Sequence, residues 1–352
     1  MQRLVAITLA VGIYSSSCTA QVAVARYKGP LDTSESRWTN GLRYDPVDLP
    51  LQWRSSSELL IAHLEGYSFA DVGGSTCGGT GIFRVAPNGR GTATPLAVGQ
   101  PACDAIRSSD GLTIDPEGRW IVYSVHVPVN SSRLVRLELG TTRADTLPTS
   151  CTVDLRHPSI SPDAQRVAVH GLCRRDDQEY NIYLMRADDS TLRPLNQPDG
   201  FSHEDPAWSP DGARLTFTRV RSSSRHETAQ IAMTDTSGRS MRVLAAGYYP
   251  AWSPDGHWIA FLATDPSVHL EHAIHLIRPD GSGERVVFLN REHGTYSRGW
   301  GPMPEGSPTA PLVWSPDGAA LAFSRRFDRG TSVWRLDLAS GRVTPITAPG
   351  AP

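Results

Sequence analysis

The chain has 352 residues, of which 39% are hydrophobic and 20% are charged, and its formal net charge is −2. These values are typical of a soluble globular protein, and they argue against a basic face for nucleic acid and against an acidic tail. The 31 glycines and 27 prolines indicate a chain with many turns.

The N-terminus has the three parts of a secretory signal. A cationic start, Met1–Arg3, precedes the apolar run Leu4–Tyr14, and small residues follow at Ser15–Ala20. The apolar run is too short to span a bilayer, and no later run reaches about 18 residues. We therefore expect an exported chain without a membrane-spanning segment.

Processing of this signal has two possible outcomes. One is simple cleavage after Ala20 or Ala25. The other is cleavage just before Cys18 and lipidation of that cysteine, although Ser15 stands where a lipoprotein signal normally has an aliphatic residue. The sequence leaves both outcomes open.

A short pattern that combines a turn and an apolar strand recurs six times along the chain. It reads WSPDG at three of its starting positions and is weaker at the other three. The six starting residues, named the anchors here, are Trp53, Ile114, Ile160, Trp208, Trp252 and Trp314. Three of the spacings between anchors lie between 44 and 48 residues, which indicates a repeat architecture.

Each repeat contains four short strands. In the repeat that begins at Trp208, Ser-Pro-Asp-Gly fits a type I turn. The alternating segment Arg214–Val220 follows it, then Gln230–Thr234, a polar turn and Met241–Ala245. Four strands in about 45 residues are typical of a propeller blade. We predict an all-β fold, a six-bladed β-propeller of four-stranded antiparallel blades.

The repeat resembles that of the TolB-like six-bladed β-propeller family, which carries the same WSPDG motif. The likeness is specific at Trp208, Trp252 and Trp314 and weaker at the other anchors. It implies a protein of the periplasm or cell envelope. Together with the signal, the repeats predict a signal peptide at 1–20, an extension at 21–47 and a propeller at 48–348.

Export changes the interpretation of the cysteines. Four remain beyond the signal, namely Cys77, Cys103, Cys151 and Cys173. An even number in an oxidising compartment predicts two disulfides. In propeller geometry all four lie on the top face, where the second-to-third-strand loops and the links between blades meet. We predict the local pairs Cys77–Cys103 and Cys151–Cys173.

The top face also carries the long, dissimilar loops, and residues three and four positions before each anchor should surround the top of the central channel. These residues include Asp110, Arg156, His157, Glu204, Asp205, Tyr248 and Tyr249. Carboxylates there could hold a divalent cation, and the tyrosines could hold a sugar or a peptide. Alternatively, the acidic residues only satisfy the amides at the strand starts.

Histidines raise the question of a metal centre. His157 and His203 are the candidate ligands near the channel. His269 and His272 are three residues apart but enter a strand, where such residues point to opposite faces, so they do not form the helical H-E-x-x-H zinc motif. The sequence requires no cofactor.

The main functional hypothesis is a binding module. In it, an exported propeller docks a protein or a cell-envelope glycan on its top face, contacts no nucleic acid, and meets the membrane only through lipid on Cys18. The rival hypothesis is a metal-dependent polysaccharide lyase, because oligogalacturonate lyases have a related propeller with a histidine-bound metal. In that case His157 and His203, with His269 or His272 as a further candidate, would bind the metal, and Arg156 or a histidine would accept the proton.

Overall fold

The computed structural model describes residues 47–64, 81–98, 111–127, 131–141, 143–149, 151, 154–173, 177–186, 191–195, 199–221, 229–264, 272–290, 295–296, 303–304, 308–327 and 330–347. Regular structure in these ranges consists of strands alone. Among the same residues, no helix is long and apolar enough to cross a bilayer. Cys18, Cys77, Cys103 and Asp110 lie outside the described residues, as do His269 and most of the signal and extension.

In the described ranges, twenty-six strands form six blades and one hairpin. Blades one to three comprise β1 Val47–Ser55, β2 Glu58–Leu64, β3 Gly81–Val85 and β4 Thr94–Val98; β5 Leu112–Ile114, β6 Trp120–Val127, β7 Ser131–Glu138 and β8 Ala144–Leu147; and β9 Asp154–Ile160, β10 Arg166–Leu172, β11 Asn181–Arg186 and β12 Arg193–Pro194. Blades four and five comprise β13 Ser202–Trp208, β14 Arg214–Val220, β15 Gln230–Asp235 and β16 Arg242–Ala246; and β17 Tyr248–Trp252, β18 Ile259–Thr264, β19 His272–Ile277 and β20 Arg285–Leu289. The hairpin is β21 Thr295–Tyr296 with β22 Met303–Pro304, and blade six comprises β23 Pro308–Trp314, β24 Ala320–Phe327, β25 Gly330–Asp337 and β26 Val343–Pro345.

Consecutive strands pair antiparallel within every blade, which confirms the predicted six-bladed propeller. The ring closes between blades six and one. Val47 pairs in parallel with Thr331, the Asp48 amide donates to Thr331 Oγ1 at 2.9 Å, and Ser324 Oγ donates to the Asp48 carbonyl at 2.6 Å. These bonds join the first and last blades into one continuous sheet.

The WSPDG segment forms the turn between the first two strands of a blade. The Gly212 amide donates to the Ser209 carbonyl at 2.8 Å, and Gly212 has a φ of 66°, a value that glycine adopts readily. The Asp211 carboxylate accepts from Ser209 Oγ at 2.5 Å and from the Ala213 amide at 3.0 Å. The hydrogen bond from Ser209 is the main reason that the pKa of Asp211 is lowered.

The anchor tryptophans of blades four, five and six each donate a hydrogen bond to the preceding blade. Trp208 Nε1 donates to the Ser159 carbonyl at 3.0 Å, and the guanidinium of Arg166 lies 4.6 Å from the centre of the same indole. Trp314 Nε1 donates in the same way to the Ala251 carbonyl. The motif therefore has a structural role, and the site must be sought among the residues that differ between blades.

Candidate functional site

Three adjacent inner strands carry a bulge at the same position. The registers of β9, β13 and β17 with their second strands each shift just before the anchor. His157, Asp205 and Tyr249 occupy these bulges with positive φ values of 45°, 54° and 55°. Each precedes a proline, which disfavours helical backbone conformations for that residue, and left-handed conformations are strained for residues other than glycine. Bulges re-aim side chains, and these bulges lie at the mouth of the channel.

The six inner strands line the channel in three tiers. Residues three positions before the anchors form the mouth tier, which comprises Pro50, Gly111, His157, Asp205, Tyr249 and Pro311. The next tier is apolar and comprises Leu51, Leu112, Pro158, Pro206, Pro250 and Leu312. Below it lie Gln52, Thr113, Ser159, Ala207, Ala251 and Val313. Except for Pro50, all of these residues line a single cavity of about 530 Å³.

Among the residues that the structure describes at position three before each anchor, polar side chains come from blades three, four and five. The mouth residues of blades one, two and six are proline or glycine. A second cavity of about 310 Å³, the lateral cavity, opens beside the channel on the polar side. His157, Asp205 and Tyr249 line both cavities and form the wall between them.

Asp205 is the centre of a hydrogen-bonded network. Its Oδ1 lies 2.6 Å from His157 Nδ1, and its Oδ2 accepts from Thr218 Oγ1 at 3.0 Å. Thr218 Oγ1 in turn accepts from the Tyr249 amide at 3.0 Å. Burial raises the pKa of Asp205, but His157 and Thr218 outweigh that effect and the pKa is lowered overall. Asp205 therefore stays ionised and holds the proton of His157 on Nδ1.

His170 extends this network from below. Its Nδ1 accepts from the Asp205 backbone amide at 3.1 Å, and its ring centre lies 5.0 Å from that of His157. Burial is the main cause that lowers the pKa of His170 to about 3, with a further contribution from His157. The imidazole is therefore neutral near pH 7, and because Nδ1 accepts, its proton resides on Nε2.

The ring of His157 is held on two faces. It stacks on Tyr249 with ring centres 6.1 Å apart and planes 13° apart. On the other side, a Cβ on Gly111 would lie 2.9 Å from His157 Cα and from the imidazole. Glycine in blade two thus provides the space that the histidine of blade three fills.

Aromatic and charged groups of blade three form one wall of the lateral cavity. Arg156 Nε donates to Asp154 Oδ2 at 2.7 Å, and the Tyr180 hydroxyl donates to the same oxygen at 3.0 Å. Tyr180 packs edge-on against His170 at 5.1 Å. Burial raises the pKa of Tyr180 to about 12, so the hydroxyl keeps its proton near neutral pH.

The predicted site residues separate into two groups. His157, Asp205 and Tyr249 meet at the mouth, whereas Arg156, Glu204 and Tyr248 line the lateral cavity and do not line the channel. Tyr248 is buried, at 5% exposure.

His203 lies elsewhere. Its ring is fully buried against Phe217, and its Nε2 is 3.3 Å from Asp199 Oδ1. It lines neither of the two cavities.

The structure adds His170 and Thr218 to the site. The sequence interpretation omitted both because it considered inner strands only. Each lies ten residues after its anchor. His170 pairs with Arg156 and Thr218 pairs with Glu204, the residues directly before the mouth residues His157 and Asp205. Counting ten residues from the anchor would have identified both.

A disulfide joins Cys151 and Cys173, as predicted. It links the entry to blade three with the end of its second strand. The Cys173 amide donates to Asp177 Oδ2 at 3.0 Å, next to the lateral-cavity residue Gln178. The bridge therefore fixes the base of one cavity wall.

His157, His170 and Asp205 each place a possible metal-ligand atom within 4.8 Å of the other two. In the structure, several of these atoms take part in hydrogen bonds instead. Both oxygens of Asp205 accept hydrogen bonds from side chains, and His170 accepts at Nδ1, which leaves a proton rather than a lone pair on Nε2. As arranged, the three side chains do not fit a three-ligand metal centre.

Solved structures with the same fold support the architecture. A protein described as TolB from Agrobacterium tumefaciens is 20% identical, with a TM-score of 0.56, over 80% of this chain and 89% of that one. A chain of a nidogen–laminin complex is 12% identical, with a TM-score of 0.53, over 86% of this chain and 94% of that one. An oligogalacturonate lyase in complex with manganese is 14% identical with a TM-score of 0.51, over 86% of this chain and 98% of that one. At these identities the likeness shows the fold alone.

Sequence comparison identifies the family. No curated protein matches this chain in sequence. The family model of the TolB beta propeller domain matches residues 111–293, just over half of the chain, and includes the inner strands that carry His157, Asp205 and Tyr249. The chain therefore belongs to the TolB β-propeller domain family.

Proposed function

We propose that this protein is an exported binding module of the cell envelope, and that it docks a protein or an envelope ligand at the channel mouth on its top face. One observation carries the proposal: three adjacent blades each use a strained bulge to direct His157, Asp205 and Tyr249 to the wall shared by two cavities. Strained backbone of this kind clusters at ligand sites, where the surrounding structure maintains it.

The mouth is also organised before any ligand arrives. His157 is fixed by the Asp205 carboxylate, the Tyr249 ring and the space above Gly111. A side chain that is already ordered loses little conformational entropy on binding. The signal-like N-terminus supports export, and lipid on Cys18 or a cleaved, free chain are both compatible with this function.

Capture from an envelope extract tests the proposal. The wild type would be compared with a His157→Asn and Tyr249→Asn double variant, since asparagine tolerates left-handed backbone better than most residues. Arg239→Ala, on an exposed turn between third and fourth strands, is the control. We expect the double variant to lose at least about tenfold of the captured partner, which corresponds to about 1.4 kcal/mol, and the control to lose none. Equal capture by folded forms of all three proteins would contradict the proposal.

A lyase is the second candidate, and the pairing of His157 with Asp205 favours it. An ionised carboxylate that holds a proton on Nδ1 makes Nε2 the basic nitrogen of the imidazole, as general-base catalysis requires. In the lyase hypothesis drawn from the sequence, His157 and His203 are the metal ligands, whereas His203 is buried beside Phe217 and lines neither cavity. Elemental analysis of purified protein and ultraviolet detection of unsaturated products from uronate oligomers would decide; stoichiometric metal with lyase activity would displace the binding proposal.

A further inference from the structure

The lateral cavity has the features of a small-ligand site in its own right. We propose that it binds a neutral saccharide of one or two rings. This inference rests on the proposed function, because it names the chemistry of the envelope ligand that docks at the mouth. It draws on three properties of the cavity: its charge balance, its aromatic faces and its size.

The charge balance disfavours an anionic ligand. Two arginines, Arg156 and Arg221, and two carboxylates, Glu204 and Asp205, line the cavity. Asp154 lies directly behind Arg156, 2.7 Å from its Nε, and offsets that positive charge. His170 stays neutral because burial disfavours its charged form. Among these described residues, three carboxylates stand against two arginines, so this part of the lining repels a uronate or a phosphate more than it attracts one.

Aromatic rings supply faces for a sugar ring. Tyr180 and Tyr249 both line the cavity and pack against the rings of His170 and His157, respectively. The C–H face of a pyranose is apolar and packs on such rings, while its hydroxyls point to the sides. Pockets that combine aromatic walls with a few placed polar groups are typical of small-molecule sites.

The polar groups suit hydroxyls rather than ions. The lining carries the carboxylate of Glu204, the guanidinium of Arg221 and the side-chain amide of Gln178, which are an acceptor group, a donor group and a group of both kinds. Two neighbouring hydroxyls of a sugar can each donate and accept, so they match a carboxylate or a guanidinium in a bidentate way. The lining therefore provides donors and acceptors together, as a polyol needs.

Size limits the ligand. The cavity volume of about 310 Å³ is at the lower end of the range of about 300 to 1,000 Å³ that is usual for ligand pockets. One or two sugar rings suit this space, and a longer glycan would extend over the top face. The apolar tier of the channel below the mouth offers no hydrogen-bonding partners to a sugar, so we assign the saccharide to the lateral cavity.

Calorimetric titration of the full chain with defined sugars tests the inference. The panel comprises N-acetylglucosamine oligomers, neutral hexose disaccharides and oligogalacturonates. We expect at least one neutral sugar to bind with a Kd of about 1 mM or tighter. Glu204→Gln and Arg221→Ala should each weaken that binding at least about fivefold. Val243→Ser, on the exposed outer strand β16, is the control and should leave the affinity unchanged.

The outcomes separate this inference from the proposed function. Preference for oligogalacturonate over every neutral sugar, or no binding by any of them, would overturn the saccharide assignment. If capture from extract still depended on His157 and Tyr249, the docking function would stand without it. Conversely, Glu204→Gln could abolish sugar binding while the mouth variants leave capture unchanged. That result would support the saccharide site and contradict the docking function.

Discussion

The side chain of His170 accepts a hydrogen bond from the backbone amide of Asp205 at 3.1 Å, across the boundary between blades three and four. The same relationship joins blades four and five, where Thr218 Oγ1 accepts from the Tyr249 amide at 3.0 Å. In each case a second-strand side chain of one blade satisfies the amide that the bulge of the next blade exposes. The bulges are thus supported by their neighbours, because a buried amide without a partner would be costly.

At the boundary between blades five and six, both the exposed amide and its acceptor are missing. In blade six the mouth residue is Pro311, which has no amide hydrogen to satisfy. Ten residues after the anchor of blade five stands Leu262, which is buried and apolar, instead of a hydrogen-bond acceptor. Acceptor and amide are therefore present together at the boundaries of blades three with four and four with five, and absent together at the boundary of blades five with six.

Thr218→Val should test this support directly. The substitution keeps the shape of the side chain but removes the acceptor of the Tyr249 amide and the donor to Asp205. We expect a loss of about 1–3 kcal/mol in the free energy of unfolding, measured by urea denaturation. Thr146→Val on the exposed part of strand β8 is the control and should change it by less than about 0.5 kcal/mol. Similar losses in both variants would show that the threonine network contributes nothing.

The neutral state of His170 predicts acid sensitivity. Its pKa is about 3 in the folded protein and near 6.5 in the unfolded chain. Between these pH values the imidazole is protonated in the unfolded chain but not in the folded protein. The free energy of unfolding therefore falls as the pH is lowered from about 6.5 towards 3. The slope should reach about 1.4 kcal/mol per pH unit.

The variant His170→Asn isolates this contribution, because its amide oxygen can still accept from Asp205 while the titrating group is gone. Urea denaturation at a series of pH values should give a shallower acid slope for the variant than for the wild type. His203, whose pKa is also lowered mainly by burial, remains in both proteins and cancels in the comparison. Identical slopes would mean that His170 does not titrate as the structure indicates.

The fold was predictable because the turns and strands of each repeat are specified by residues that are close together in sequence. The turn of Ser209, Asp211 and Gly212 is determined by neighbouring residues, and the strand Arg214–Val220 was predicted with its observed bounds. The fourth strand was shifted by one residue, since Arg242–Ala246 was expected to begin at Met241. Such edges depend on pairing with the third strand rather than on the segment itself.

The site was predictable only in part, since it depends on contacts between blades. Counting back from the anchors identified His157, Asp205 and Tyr249, because these positions follow the repeat. It placed His203 near the channel, whereas strand alternation turns that side chain into the core beside Phe217. No local pattern reveals that His170 meets the Asp205 amide, because the two residues belong to different blades.

The disulfide between Cys151 and Cys173 should stabilise the cavity wall as well as the fold. The two cysteines are 22 residues apart in sequence, and closing a loop of that size contributes about 3 kcal/mol. We expect Cys151→Ser with Cys173→Ser to lower the melting temperature and to weaken capture at the mouth. Calorimetry of the wild type with and without reductant provides the matched comparison. A double variant that melts like the oxidised wild type would contradict a stabilising bridge.

Position 111 should need glycine for two reasons: its positive φ and the close approach of His157. Gly111 and Gly91 have nearly equal φ values of 102° and 97°, so alanine is strained at both by a similar amount, about 1–2 kcal/mol. At Gly111 the added Cβ would also lie 2.9 Å from the backbone and ring of His157, whereas at Gly91 it meets nothing within 4 Å. Urea denaturation should therefore show Gly111→Ala to be less stable than Gly91→Ala by about 1–3 kcal/mol. Gly111→Ala should also weaken capture at the mouth, because the imidazole must move, while Gly91→Ala should not. Equal losses of stability with unchanged capture would mean that His157 is not held in place by blade two.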